Sequence, residues 1–141
     1  MTNITCTVSI EINAPISKVW KAVIDPEQIK KYLFGTNTIS DWKVGSEIKF
    51  TGVWEGKAYE DKGTILALEP EKLFKYNYWS NWTGEDVLEK RQVISYKLKS
   101  ENGKTIFTLI QENCPTEEAR DHSTANWNSV LASMKQMLEA G

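Results

Sequence analysis

Residues 92–111 read QVISYKLKSENGKTIFTLIQ. Asn102-Gly103 at the centre is the preferred pair for a type I′ two-residue turn, because both central residues need φ > 0. Folding the stretch at that turn sets Glu101 opposite Lys104, Leu98 opposite Phe107, Tyr96 opposite Leu109 and Ile94 opposite Gln111. One face of the hairpin then carries Ile94, Tyr96, Leu98, Phe107 and Leu109, with Gln111 as its polar exception. A hairpin that is apolar on one face predicts an antiparallel sheet that must bury that face against a second layer.

The chain on either side supplies both the rest of the sheet and the layer. Upstream, Phe74, Tyr76 and Tyr78 alternate with Lys75 and Asn77, placing three aromatics on one face. Glu69-Pro70-Glu71-Lys72 reads as a turn, residues 57–69 as a longer strand broken by Gly63, and Ile48 and Phe50 as inward positions of another. From about residue 38 to 113 the pattern is all β. Before it, Cys6, Val8, Ile10 and Ile12 alternate as a half-buried strand. Pro15 then suits a helix start, with Ile16, Val19, Trp20 and Val23 at helical spacing. Asp25-Pro26 stops that helix and caps a second, short one that ends near Tyr32-Leu33-Phe34-Gly35.

Downstream, Thr116 is a good N-cap, and Glu117 and Glu118 sit where the helix dipole favours them. The helix it starts is expected to run to about Glu139. Trp127, Val130, Leu131, Met134 and Leu138 form its stripe. Stepping back by four and eight residues gives Ser123, Asn126, Ala119 and His122, all small or polar. This predicts tight packing at the C-terminal end and looser space near the start. The whole is an α+β fold: a curved antiparallel sheet of about six strands, two short helices after the first strand, and a long C-terminal helix.

At 141 residues the chain is long enough for one domain, 1–141, with a sizeable core. Lys and Arg number 17 against 19 Asp and Glu, a net charge of −2. No basic field is available for a phosphate backbone, which excludes sequence-independent nucleic-acid binding. The start of the chain has neither the basic nor the apolar region of a signal peptide. Its longest aliphatic run, Ile65-Leu66-Ala67-Leu68, is far short of a membrane span. The expectation is a cytoplasmic protein without membrane insertion. Cys6 and Cys114 form neither a disulfide framework nor a zinc spacing and read as reduced, partly buried small hydrophobes. GxSxG, HExxH, P-loop and GxGxxG signatures are absent, so no metal and no cofactor is expected.

In order along the chain stand Ala14-Pro15-x-x-x-Val19-Trp20-x-Ala22, Asp25-Pro26-Glu27 with Tyr32-Leu33, Asp41-Trp42-Lys43-Val44-Gly45-Ser46-Glu47-Ile48, Gly63-Thr64-Ile65 and Glu69-Pro70. Asn126-Trp127-x-x-x-Leu131-x-x-Met134-Lys135-x-x-Leu138-Glu139 follows. Together they resemble the activator-of-Hsp90-ATPase-like branch of the START/Bet v 1-like (polyketide cyclase) superfamily over nearly the whole chain. The resemblance implies a helix-grip fold with a cavity between the sheet and the last helix. In the superfamily that cavity holds lipids, sterols, polyketides or other apolar molecules, and a few members catalyse reactions there. The family's namesake co-chaperone has a separate N-terminal chaperone-binding domain, and none is expected ahead of residue 1. The resemblance also makes the strands bearing Cys6 and Cys114 antiparallel neighbours.

The aromatic content, six Trp, five Tyr and four Phe, is the most unusual feature. Trp and Tyr combine large apolar area with one polar handle, which suits an amphipathic ligand. Candidate ligand-binding residues are Trp54, Tyr76, Tyr78, Trp79, Tyr96 and Phe107, with Gln111, His122 and Asn126 as polar groups, and Asn113 near them. Trp79 and Trp82 flank a turn-like Ser80-Asn81 and could cap a cavity mouth. Core packing is the competing reading for Tyr76, Tyr78 and Tyr96, and a half-exposed helix start for His122.

The function expected is binding of a small hydrophobic or amphipathic molecule, as carrier, sensor or lipid-binding protein of the stress-response type. Two alternatives stay open. One is an enzyme of polyketide cyclase type using His122 and a tyrosine hydroxyl. The other is a co-chaperone-like interaction module with a chaperone partner. A homodimer is open as well.

Overall fold

In the computed structural model, which describes residues 2–80 and 90–140 apart from the side chain of Trp54, ten elements follow one another. They are β1 (Cys6–Ile12), α1 (Ile16–Ile24), α2 (Pro26–Tyr32), β2 (Asn37–Ser40), β3 (Glu47–Trp54), β4 (Lys57–Glu69), β5 (Leu73–Ser80), β6 (Gln92–Glu101), β7 (Lys104–Glu112) and α3 (Glu117–Ala140). The strands make one antiparallel sheet in the order β1-β7-β6-β5-β4-β3-β2. Seven strands are described where about six were expected. The addition is the edge strand β2, whose four residues are too few to show a period.

The hairpin forms in the expected register, with Glu101↔Lys104, Leu98↔Phe107, Tyr96↔Leu109 and Ile94↔Gln111. Asn102 and Gly103 take φ of 53° and 80°, the left-handed values a type I′ turn requires. β1 closes onto β7 from Cys6↔Gln111 to Ile12↔Thr105, so the first and last strands are neighbours. The buried thiols Cys6 and Cys114 both sit at this join, where the Cys114 N–H donates to the Ile4 carbonyl at 3.0 Å. Burial first, and then the Cys6 thiol, push the Cys114 thiol up, so it is no thiolate.

Helix ends follow local chemistry. Asp25 Oδ1 accepts from the Glu27 N–H at 3.0 Å with Pro26 in the first turn of α2, and Thr116 Oγ1 accepts from the Ala119 N–H at 3.0 Å ahead of α3. Tyr32, the last residue of α2, donates its hydroxyl to the Ala22 carbonyl on α1 at 3.0 Å and fixes the two short helices together.

Gly63 does not break β4, which runs unbroken through it. A Cβ on Gly63 would stand 1.7 Å from the Asn77 carbonyl oxygen, so glycine is there because β5 backbone comes too close for any side chain. The irregularity of β4 lies just beyond, where its register against β5 shifts between Ile65 and Ala67.

α3 packs chiefly on β1 and α2. Its buried residues, Val130, Leu131, Met134 and Leu138, all belong to the C-terminal half, and none of residues 117–128 is buried. The expected contrast between the two ends of the helix is therefore present as a contrast in burial.

Candidate functional site

Strand pairing arranges the inner face in rows. Phe74, Tyr96 and Leu109 make one row across β5, β6 and β7, and Tyr76, Ile94 and Gln111 make the next. Tyr78 and Gln92 make a third, and Ser80, Asp61 and Phe50 make a fourth across β5, β4 and β3 near the same end. Side chains two apart on a strand share a face, so the inner face grades from aromatic and aliphatic to polar as the rows approach the start of α3.

The apolar part is packed ring against ring. Tyr96 meets Phe74 at 5.5 Å and 75°, Tyr76 at 5.9 Å and 81°, and Trp127 of α3 at 6.1 Å and 78°, all edge to face. Phe107 lies against Tyr96 at 5.4 Å. These geometries place a positive ring edge on a negative ring face. The Tyr76 and Tyr96 hydroxyls are 3.2 Å apart. One donates to the other, and the accepting hydroxyl keeps a hydrogen for which the described residues offer no second partner. Burial pushes Tyr96 up to about 12, and burial followed by Tyr96 holds Tyr76 well above the usual phenol range, so both stay protonated.

The polar part begins at Gln111. Its Oε1 accepts from the Trp127 indole N–H at 2.7 Å, and its Nε2 donates to Oε1 of Gln92. The polar exception of the hairpin is therefore one of the groups that tie α3 to the sheet. Beside it the Tyr78 hydroxyl donates to Asp61 Oδ2 at 2.5 Å. Burial raises the Asp61 carboxyl against the opposing pull of the Tyr78 and Ser80 hydroxyls. Burial, then the Asp61 charge, holds Tyr78 well above the phenol range. Asp61 Oδ1 is buried and has no hydrogen-bond partner among the described residues.

Of the residues expected to bind a ligand, Tyr76, Tyr78, Tyr96, Phe107 and Gln111 share this inner face. Trp79 does not. It follows Tyr78 in β5 and so points to the outer face, where Lys62 Nζ lies 5.3 Å from its ring centroid. The Trp54 side chain and Trp82 lie outside the described residues. Asn113 is a strut: its Oδ1 accepts from the Thr2 N–H at 2.8 Å and its Nδ2 donates to the Arg91 carbonyl at 3.0 Å.

His122 and Asn126 are exposed, which corrects their placement in a cavity. Each step of four residues turns about 40° round a helix. Val130 is at the edge of the buried stripe, so stepping back from it to Asn126 and His122 walks off that stripe. The stripe continues instead through Trp127, Thr124, Ser123 and Arg120, which are half-buried. Thr124 Oγ1 stands 3.2 Å from Cys6 Sγ.

Asp61 was missed, although its signal is in the sequence: Tyr59, Asp61, Gly63 and Ile65 alternate, and the inward position of Ile65 makes Asp61 inward too. Among the described residues no three His, Cys, Asp or Glu come together in a way that could hold a metal. No described helix is long and apolar enough to cross a membrane.

A curved antiparallel sheet gripping a long C-terminal helix, with an aromatic inner face that turns polar at one end, defines a helix-grip protein. Within that class the chain belongs to the activator of Hsp90 ATPase homolog 1-like family, whose model matches residues 13–139. The solution structure of ChR145 from Cytophaga hutchinsonii is similar at 42% identity and a TM-score of 0.85, over 99% of this chain and 97% of that one. Protein MLL2253 from Mesorhizobium loti shares the fold at 23% identity and a TM-score of 0.80, over 97% and 98%. The Aha1 dimer from Colwellia psychrerythraea shares it at 22% identity and a TM-score of 0.77, over 96% of each chain. No curated protein matches the chain.

Proposed function

We propose that the chain binds a small amphipathic molecule between the inner face of the sheet and the N-terminal half of α3, acting as a carrier or sensor. The observation that carries this reading is the unequal burial of α3. Its second half is sealed by Val130, Leu131, Met134 and Leu138, while its first half faces the sheet with half-buried Trp127, Thr124 and Ser123. On the sheet beside Gln111 stand the half-buried Gln92, to which it is bonded, and Tyr78, whose hydroxyl reaches the half-buried Asp61. Ligand sites are mostly apolar with a few convergent polar groups, and this end of the face has that composition. The packed rings of Tyr76, Tyr96 and Phe107 supply the floor. Trp127 supplies a wall whose indole N–H is already held by Gln111.

Native mass spectrometry of the purified chain, with organic extraction of the same sample, tests the reading. A stoichiometric adduct released on denaturation supports it. An apo mass that persists after exposure to amphiphiles of several head-group classes counts against it.

A second reading, association of two copies, is favoured by the edge strand β2 and the apolar side chains exposed near it, Ile39 at 60% and Val53 at 69%. The family member described as a dimer gives it a precedent. Light scattering coupled to size exclusion decides it, and Ile39→Lys is expected to shift any dimer to monomer.

A further inference from the structure

We propose that Asp61 anchors the polar end of the ligand and that this end is an ammonium group carried on an apolar body. The inference rests on the ligand-binding reading above and adds the chemistry of the head group. Asp61 Oδ2 accepts a hydrogen bond from the Tyr78 hydroxyl at 2.5 Å. An ionised carboxylate only accepts. Its other oxygen, Oδ1, is buried and unpartnered among the described residues.

A buried carboxylate oxygen with no donor is costly unless a cation or donor arrives to pair with it. A neutral alcohol satisfies the hydrogen bond and leaves the charge. A second carboxylate is repelled. An ammonium group satisfies both.

The surroundings suit the same guest. The cross-strand row through Asp61 continues to Phe50 and then to Thr38 on the edge strand. Thr38 is itself only 6% exposed, and its Oγ1 has no partner among the described residues. Two polar atoms left without partners on one row of one face mark it as a place where the fold does not satisfy itself. Between them the Phe50 ring lies 5.5 Å from Tyr76, and Tyr78 flanks Asp61, so aromatic faces are at hand for a cation. Gly52 contributes by what it lacks. A Cβ there would meet the Tyr59 hydroxyl at 2.5 Å, so glycine lets Tyr59 lie down across β3 and reach Thr36 Oγ1 at 2.6 Å.

The test compares n-decylammonium, n-decanol and n-decanoate below their micelle-forming concentrations, titrated into the full chain and followed by NMR of backbone amides and the Trp127 indole N–H. Decylammonium is expected to bind about tenfold more tightly than decanol, with decanoate weakest. Asp61→Asn is expected to reduce the advantage of decylammonium over decanol below about threefold. The rank order on the unmodified protein, with the Asp61 carboxyl carbon shifting on addition of decylammonium, stands without any variant should Asp61→Asn fail to fold. Equal binding of all three probes, or an ammonium advantage that survives Asp61→Asn, overturns the head-group assignment and leaves the ligand site standing. Failure of every probe to bind overturns both.

Discussion

The indole N–H of Trp127 on α3 donates to Oε1 of Gln111 on β7 at 2.7 Å, and this bond joins helix to sheet where the buried stripe of α3 gives way to half-buried residues. Trp127→Phe keeps a ring against Tyr96 but leaves the buried Gln111 oxygen without its donor. Urea unfolding is expected to show a loss of about 1–3 kcal/mol. In a double-mutant cycle with Gln111→Met the two losses are expected to be strongly non-additive. Additive losses would mean that the bond contributes nothing beyond packing.

The Tyr76–Tyr96 pair predicts a different pattern. Tyr96→Phe removes one hydroxyl and strands the other in the core, at a cost of about 1 kcal/mol. The double replacement by Phe is expected to cost no more than the single one, because no polar group is left behind. Both phenols are raised, Tyr96 to about 12. The folded state therefore resists ionisation that the unfolded chain accepts near 10. Stability is expected to fall as pH rises between about 10 and 12, with tyrosinate absorbance from these residues appearing only together with unfolding.

Asp61 titrates in the opposite part of the range. Its folded value lies above the ordinary 3.8, with burial as the first cause and the Tyr78 and Ser80 hydroxyls opposing it. A raised carboxyl disfavours the folded state where it is ionised, and this penalty is relieved as pH falls towards 3.8. Melting temperatures of Asp61→Asn and wild type are expected to differ most at neutral pH, with the variant higher, and to converge in acid. A constant offset across pH would contradict the burial of this charge.

Thr38→Val replaces a buried hydroxyl that has no partner among the described residues by an isosteric methyl. It is expected to stabilise the protein by about 1 kcal/mol. A loss of stability in urea would show that the hydroxyl is satisfied in solution.

Gly63→Ala and Gly52→Ala separate two kinds of crowding. At Gly63 the obstacle is the Asn77 backbone carbonyl, which cannot swing away, and the cost is expected to be about 3 kcal/mol. At Gly52 it is the Tyr59 side chain, which can rotate at the expense of its bond to Thr36. The expected loss there is smaller, about 1 kcal/mol. Chemical denaturation of both variants gives the comparison, and equal losses would refute it.

What the sequence determined by itself is whatever depends on near neighbours and on period. Asn102-Gly103 dictates its turn through the backbone sterics of two residues, and the register of β6 and β7 follows. Asp25-Pro26 and Thr116 dictate helix starts through hydrogen bonds spanning two or three residues. Alternation along β5 determines that Phe74, Tyr76 and Tyr78 share a face, and applied one residue further it puts Trp79 on the other. The order of these signals was enough to show the resemblance to the family.

Only the tertiary structure decided which distant groups meet. The azimuth of α3 is set by packing on β1 and α2, and it turns Trp127 towards Gln111 while leaving His122 and Asn126 in solvent. Gly63 reads as a breaker in one dimension, yet it is an approach point once the Asn77 carbonyl lies beside it. The meeting of Tyr78 with Asp61 depends on β4 pairing with β5 in the register that sets Asp61 opposite Ser80, which no local rule encodes. Local sterics act between residues close in sequence, whereas the environment of a buried polar atom is assembled from strands and helices far apart along the chain.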